Sequence, residues 1–136
     1  MNTKELDGYL KFLSEKQTAV QESGFDVEES DLNPLLFPFQ KYCVKRALKV
    51  GRFAMFEDCG SGKAIQSLEW AQQVINHINK PVLILAPLGV VGQTIKEGEK
   101  FGYKVTEIAI TTFDQGLASG IYITNYDNMD NIDAYL

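Results

Sequence analysis

Apolar and polar residues follow a helical period at the start of the chain. Lysines and glutamates separate four apolar side chains at positions i, i+3, i+4 and i+7, namely Leu6, Tyr9, Leu10 and Leu13. This spacing predicts an amphipathic helix that runs to about Ser23 and stops at Gly24. An acidic stretch with two prolines follows as far as Pro38. The pattern therefore predicts a helical arm that a loop-like linker joins to the rest of the chain.

A second helical pattern begins at Phe39 and runs to about Val50, where Gly51 closes it. Four of its residues can share a buried face: Phe39, Tyr42, Cys43 and Ala47. The more exposed faces then carry a basic cluster of Lys41, Lys45, Arg46 and Lys49. Such a cluster is either a solvated helix face or a surface for an anionic partner, and the pattern does not separate the two.

Beyond Gly51 the chain alternates between short apolar runs and helical periods. The apolar runs predict strands over residues 52–56, 81–86, 104–110 and 121–124. One helix with apolar residues along one side follows a glycine-rich loop, and another spans about Val90 to Phe101. This alternation predicts an α/β fold with a parallel sheet of about four strands, covered by helices on both faces.

The charge is distributed unevenly along the 136 residues, which suit one compact domain. Residues 1–36 hold three lysines against eight acidic residues, whereas residues 37–136 hold ten basic and ten acidic residues. A freestanding nucleic-acid binder carries a positive surplus, because phosphate neutralisation supplies most of its affinity. We therefore divide the chain into an acidic arm with its linker, 1–36, and a body, 37–136, and do not expect autonomous nucleic-acid binding.

Three protein classes are excluded by other features of the sequence. No run approaches the roughly 18 apolar residues of a membrane span, and the N-terminus lacks the pattern of a signal peptide. Cys43 and Cys59 imply neither a disulfide framework nor a zinc site. The sequence thus predicts a cytoplasmic protein with two reduced thiols and no membrane partner.

The segment with the clearest chemistry is Gly60-Ser61-Gly62-Lys63-Ala64, between a predicted strand and a predicted helix. Glycines let backbone N–H groups turn inward around phosphates, and a helix N-terminus adds the positive end of its dipole. The lysine reaches the outer phosphates. The segment therefore predicts a phosphate-binding loop. A loop of this composition can also serve only to turn the chain.

Two positions of the loop depart from the working pattern. A functional loop has Ser or Thr after the lysine, and that hydroxyl binds Mg²⁺. Ala64 offers no oxygen there, so Mg²⁺ is not expected to be held well. Glu57 takes the first position of the pattern, where Gly or Ala is normal. Its carboxylate repels a polyphosphate unless the side chain points away.

Three further stretches accompany the loop. Residues 36–42 precede it, residues 85–93 lie at a predicted strand end and helix start, and residues 123–129 follow one strand later. In this order, over about residues 35–130, the stretches and the loop resemble a known family. They are similar to the front part of the first RecA-like ATPase domain of superfamily-2 helicases, of the DEAD/DEAH and Swi/Snf kind found in bacterial prophages.

The resemblance implies an incomplete RecA-like, P-loop sheet that follows an N-terminal helical arm. It also implies weak binding of ATP or ADP. In the family, a glutamine in the position of Gln40 reads the adenine edge, and residues 85–93 face a nucleic-acid backbone. The implied nucleotide site consists of Gln40, Gly60, Ser61, Gly62, Lys63 and Ala64.

The same resemblance implies that ATP is not hydrolysed. The family needs an Asp-Glu pair on the next strand to hold Mg²⁺ and orient water, and this sequence contains no Asp-Glu dipeptide. The sequence ends at Leu136, about where that strand begins in the family, before the second RecA-like domain and its arginine finger. We therefore expect residues 37–136 to form a truncated domain that is not an enzyme.

Two functions remain open at this point. The chain is either a helicase-like remnant that binds nucleotide weakly or a small phage-type interaction protein, such as an anti-defence inhibitor. Gln40 and Lys63 favour the first function, whereas Ala64, Glu57 and the acidic arm favour the second. An incomplete sheet leaves apolar strand edges uncovered, which favours a homodimer or a protein partner at that edge.

Overall fold

The computed structural model describes residues 3–16, 21–109 and 116–127. The helices are α1 (Thr3–Lys16), α2 (Pro38–Val50), α3 (Lys63–Ile78) and α4 (Leu88–Phe101), with a 3₁₀ turn at Glu29–Asp31. The strands are β1 (Val82–Ala86), β2 (Val105–Glu107) and β3 (Ile121–Asn125), in a parallel sheet of spatial order β1-β3-β2. The α/β class with a small parallel sheet is therefore confirmed. None of the described helices combines the length and apolar character that a membrane span requires.

The pairing register decides which side chains form the core face of the sheet. Val82 lies opposite Ile121 and Ile84 lies opposite Ile123, so these four side chains share one face. α3 packs on this face around Ile121, and α4 packs on it around Ile123. α2 lies outside α3 and forms a second helical layer.

The opposite face of the sheet has no helix over it among the described residues. It carries Leu83, Leu85 and Tyr122, which are half-exposed and belong to none of the core clusters. The predicted flanking of the sheet by helices is therefore seen on one face among the described residues, and Thr124 is buried on the other. A right-handed return from β2 to β3 would place its connection on this face, but the described part of that connection contains no helix.

The strand predicted over residues 52–56 is absent from the described structure. This segment has no strand pairing, and Phe53 and Phe56 are 45% and 96% exposed. A cleft of about 510 Å³, lined in part by Met55 and Trp70, separates it from the outer edge of β1. An apolar run shows only that a strand is possible. A strand also needs a neighbouring backbone within hydrogen-bonding distance, which this segment lacks.

The α2 helix has the predicted bounds and ends at Gly51, but a different face of it is buried. Phe39 and Tyr42 are exposed, and the buried residues are instead Gln40, Val44, Ala47, Leu48 and Val50. α2 packs against α3 and against Leu32 of the linker, so the neighbours of the helix determine its buried face. Neighbouring residues of a helix are about 100° apart around its axis. Assigning the buried face one position away therefore exposes Phe39 and Tyr42 in place of the residues predicted to be exposed.

The N-terminal helix is shorter than predicted and its apolar face is exposed. α1 ends at Lys16, residues 17–20 lie outside the described part, and residues 21–23 are not helical. The linker then runs along the end of α2, where Ser23 N donates to Val50 O (3.2 Å) and Phe25 N donates to Leu48 O (3.0 Å). These bonds satisfy carbonyl groups that a helix end leaves unpaired.

A buried hydrogen-bond network around Glu69 joins the linker, α3 and the turn before β2. The carboxylate accepts hydrogen bonds from the Asn33 backbone N–H (3.3 Å), from the Gln73 amide (2.8 Å) and from the Tyr103 hydroxyl. The Asn33 amide also donates to Tyr103 Oη (3.0 Å) and to the Phe101 carbonyl (3.0 Å). Burial, together with the adjacent Glu69, raises the pKa of Tyr103, so its phenol remains protonated and continues to donate.

We expect Tyr103→Phe to lower the free energy of unfolding by about 1–3 kcal/mol, because it leaves the buried Glu69 carboxylate with one donor fewer. Tyr122→Phe is the matched control, since its hydroxyl donates to the Ala118 carbonyl (2.9 Å) in an exposed position. The control should lose less than about 1 kcal/mol. Urea titrations measure both values, and equal losses would contradict a structural role for the network.

Candidate functional site

The glycine-rich loop turns through two left-handed glycines before α3. Gly60 has φ 81° and Gly62 has φ 80°, and Gly62 is the residue that precedes the first turn of α3. Side chains other than glycine are strained in this region of φ. Ser61 N donates to Asp58 O at 3.4 Å and closes the turn. The two glycines therefore perform the conformational role that the sequence predicts for them.

Lys63 folds back over the loop instead of extending into solvent. Its Nζ donates to the carbonyl oxygens of Glu57 and Asp58, at 2.8 Å each. The ammonium group is thus held within the turn and close to the first residues of α3. This position favours an anion at the loop, although two of the three ammonium donors already bind carbonyl oxygens and only one remains for a phosphate oxygen.

The N-terminus of α3 has free hydrogen-bonding capacity. No side chain in the described residues caps it, so the first backbone N–H groups are available to an anion, which the helix dipole also attracts. Ala64 lies half-buried in this first turn and contributes only a methyl group. The residues present therefore suit the phosphates of a nucleotide and lack the hydroxyl that would bind Mg²⁺. The described residues also contain no group of His, Cys, Asp and Glu side chains that could hold a metal ion.

Gln40 connects α2 to the loop through its side-chain amide. It is 5% exposed. Its Oε1 accepts from the Phe37 backbone N–H (2.9 Å), and its Nε2 donates to Ser61 O (3.0 Å). A Cβ atom built on Gly62 would lie 2.4 Å from Gln40 Nε2, so the two residues are in direct contact. Both ends of this amide are engaged within the chain, and Gln40 therefore positions the loop.

The buried side chain of Gln66 lies beneath the loop and contacts Glu57 and Ser61. The sequence pattern did not identify Gln66 as part of the site. Gln66 is fully buried, and its Nε2 donates to Glu57 Oε2 (2.8 Å) and more weakly to Ser61 O (3.4 Å). Three buried oxygens here have no hydrogen-bond partner among the described residues: Glu57 Oε1, Ser61 Oγ and Gln66 Oε1. The Glu57 side chain thus points toward α3, which reduces the repulsion that the sequence predicts between this carboxylate and a polyphosphate.

Polar neighbours keep the Glu57 carboxyl group ionised. The Ser61 hydroxyl lowers its pKa most, because the hydroxyl lies close enough to donate once it rotates, and Gln66, Cys43 and the charge of Lys63 lower it further. Burial acts in the opposite direction. The pKa of the Cys43 thiol is raised by burial and then by the nearby Glu57. The lowered pKa favours the ionised form of Glu57 beside Lys63.

The other two stretches of the predicted pattern form a second group, at the carboxyl ends of β1 and β3. Ala86 pairs with Asn125, so residues 85–93 and 123–127 meet at one end of the sheet. Thr124 is buried there, and Tyr126 is half-exposed. Residues 128 and 129 of the pattern lie outside the described part. Because residues 52–56 form no strand, the glycine loop is not attached to this sheet by a strand of its own.

Comparison of the chain with protein-family models, with curated proteins and with solved structures finds no match. The resemblance to superfamily-2 helicases therefore stays a prediction. The adenine contact of Gln40 and the nucleic-acid contact of residues 85–93 also stay predictions, because they follow from the resemblance.

The sequence contains a pattern that indicates the burial of Gln66, although the periodicity of apolar residues does not show it. Gln66, Glu69 and Gln73 recur at helical spacing on α3, between its buried apolar residues, and all three are buried. Buried polar side chains need hydrogen-bond partners. A polar stripe at this spacing therefore indicates a buried network, and here the network supports both the loop and the linker.

We expect Gly62→Ala to destabilise the protein more than Gly60→Ala. Both positions have nearly the same φ, so the backbone strain is similar, at about 1–2 kcal/mol. Only at position 62 does the new methyl group meet Gln40, since the space around Gly60 is open. Thermal or urea unfolding measures the difference. In a Gln40→Ala background the difference should become smaller, with a remainder from Ile65 Cγ2, which would lie 3.3 Å from the new methyl group. An unchanged difference would show that Gln40 does not contact the loop.

Proposed function

We propose that the glycine loop binds the phosphates of a nucleotide, ATP or ADP, weakly and without hydrolysis. The observation that carries this proposal is the pairing of Lys63 with the uncapped N-terminus of α3, at a turn that two left-handed glycines form. Backbone N–H groups, a helix dipole and an ammonium group converge there, and together they favour a polyphosphate.

The expected affinity is low because the loop already satisfies part of its own bonding capacity. Two of the three donors of the Lys63 ammonium group are already taken by backbone carbonyls, and the ionised Glu57 remains nearby. The Ala64 position contributes no ligand to Mg²⁺, so the metal ion cannot anchor the phosphates there. The missing Mg²⁺ ligand at Ala64 and the lack of an Asp-Glu pair in the sequence both support binding without hydrolysis.

We expect Lys63→Ala to weaken ATP binding by at least about tenfold, which corresponds to the loss of one charge-assisted hydrogen bond. Lys80→Ala is the matched control, because Lys80 is exposed beyond the far end of α3 and should not affect binding. Isothermal titration calorimetry with ATP and with ADP, each with and without Mg²⁺, measures the affinities. We expect Mg²⁺ to change the wild-type affinity little.

Two results would contradict the proposal. The first is a wild-type titration that gives no heat of binding at millimolar nucleotide, with a thermal stability that nucleotide does not change. It would show that the loop only turns the chain. If Lys63→Ala and Lys80→Ala lowered the affinity for ATP equally, the binding would depend on the overall charge of the protein and not on the loop.

A second candidate function is protein binding through the outer edge of β1. This edge has no strand beside it in the described part of the chain, and it borders the apolar cleft that Phe53 and Trp70 line. Val82 N donates to Gly120 O (2.9 Å), so strand alternation directs the N–H groups of Leu83 and Leu85 outward. Such an edge favours the addition of an extended segment, from a second copy or from another protein.

We expect Leu83→Pro to abolish any association through this edge, because proline removes one outward N–H group. Leu83→Ala is the matched control, since it loses the side chain but retains that donor. Sedimentation velocity over a range of concentrations, together with circular dichroism to establish folding, compares the two variants with the wild type. Equal association by both variants would exclude main-chain pairing at β1.

A further inference from the structure

The side-chain amide of Gln40 is fixed between two segments of the chain. Its Oε1 accepts from the Phe37 backbone N–H (2.9 Å), and its Nε2 donates to Ser61 O (3.0 Å). Gly62 lies against Nε2, because a Cβ atom at that position would be 2.4 Å away. The amide therefore joins the start of α2 to the glycine loop, and each of its two ends already has a partner.

A glutamine that reads a base needs a free edge of its amide. Bidentate contact with adenine uses the carbonyl oxygen and one N–H group on the same edge. Gln40 is only 5% exposed, so little of such an edge reaches the surface. Contact with a base would require the amide to move away from Phe37 or Ser61. The bond lost there would offset the bond that the base supplies.

The exposed side chains around Gln40 at the start of α2 have no means of reading a base edge. Leu35, Phe37 and Phe39 are between 50% and 64% exposed, and their side chains carry no hydrogen-bonding group. Pro38 is also exposed and lacks a backbone N–H. Bases differ in the donors and acceptors on their edges, whereas every base has an apolar ring face. An apolar surface therefore distinguishes them poorly.

The open donors of the proposed site lie where phosphates would bind. Lys63 retains one N–H donor, and no described side chain caps the N-terminus of α3. Gln66, the other glutamine at the loop, is fully buried, and its Nε2 donates to Glu57 and Ser61. The donors that remain available therefore suit phosphate oxygens, and neither glutamine presents an open amide to a base.

We propose that the site selects a polyphosphate and not a base, so that ATP, GTP, CTP and inorganic triphosphate bind with similar affinity. This inference rests on the nucleotide binding proposed above. It assigns Gln40 a different role from the adenine contact that the helicase resemblance implies. Gln40 is a positioning residue: it acts through Ser61 O and holds the turn at which Lys63 meets the N-terminus of α3. Its contribution to the affinity should therefore be the same for every ligand.

The wild-type protein tests the ligand class directly. Isothermal titration calorimetry without Mg²⁺ compares ATP, GTP, CTP and inorganic triphosphate. We expect the four dissociation constants to agree within about threefold, because no side-chain hydrogen bond distinguishes the bases. This comparison does not depend on the folding of any variant.

A substitution at Gln40 tests the positioning role. Gln40→Met keeps about the same side-chain length and loses both amide bonds, so it should weaken all four ligands by one common factor of about threefold to tenfold. Gln72→Met is the matched control and should change none of the affinities. The Gln72 amide donates to Asn76 in an exposed position, about two and a half turns after Lys63. Circular dichroism establishes that both variants are folded before they are titrated.

Three results would overturn the inference and leave the proposed nucleotide binding intact. The first is a wild-type preference for one base beyond the threefold range. If Gln40→Met removed that preference, Gln40 would read the base, and if the preference persisted, another residue would. The second is binding of nucleotides without binding of inorganic triphosphate, since the base would then supply affinity. The third is a folded Gln40→Met protein with wild-type affinities, which would exclude the positioning role.

A different result would contradict the nucleotide binding itself. If none of the four ligands bound to the wild type at millimolar concentration, the loop would hold no polyphosphate, and the inference would fail together with the proposed function.

Discussion

The fold depends on one buried carboxylate. Glu69 is buried with no salt-bridge partner among the described residues, and three donors from separate parts of the chain converge on its side chain. These donors belong to the linker at Asn33, to α3 at Gln73 and to the turn before β2 at Tyr103. The linker, the central helix and the sheet therefore hold their positions together, and the loss of one donor affects all three.

The glycine loop depends on side chains in a way that a loop built on a strand does not. No strand precedes the loop in the described structure, so Gln40 of α2 and Gln66 of α3 hold it through Ser61 O and Glu57. This arrangement places Lys63 at a helix N-terminus, but it also consumes part of the bonding capacity that a phosphate would use. The nucleotide binding that we propose is therefore expected to be weak.

The described part of the chain leaves apolar surface exposed around a small sheet. Among the described residues, the core clusters place α3 and α4 on one face of the sheet, β1 has no strand on its outer side, and α1 exposes apolar side chains. The residues of the proposed nucleotide site belong neither to β1 nor to α1.

The sequence alone determined the features that depend on neighbouring residues along the chain. The bounds of α2, the end of α4, the turn at Gly60 and Gly62, and the positions of three strands along the chain follow from periodicity and backbone sterics, which are local. The tertiary structure decided the buried face of α2, the absence of a strand at 52–56 and the burial of Gln66. Each of these depends on which distant segment lies alongside, because a side chain is buried, and a strand is paired, only by a neighbour that the local pattern does not identify.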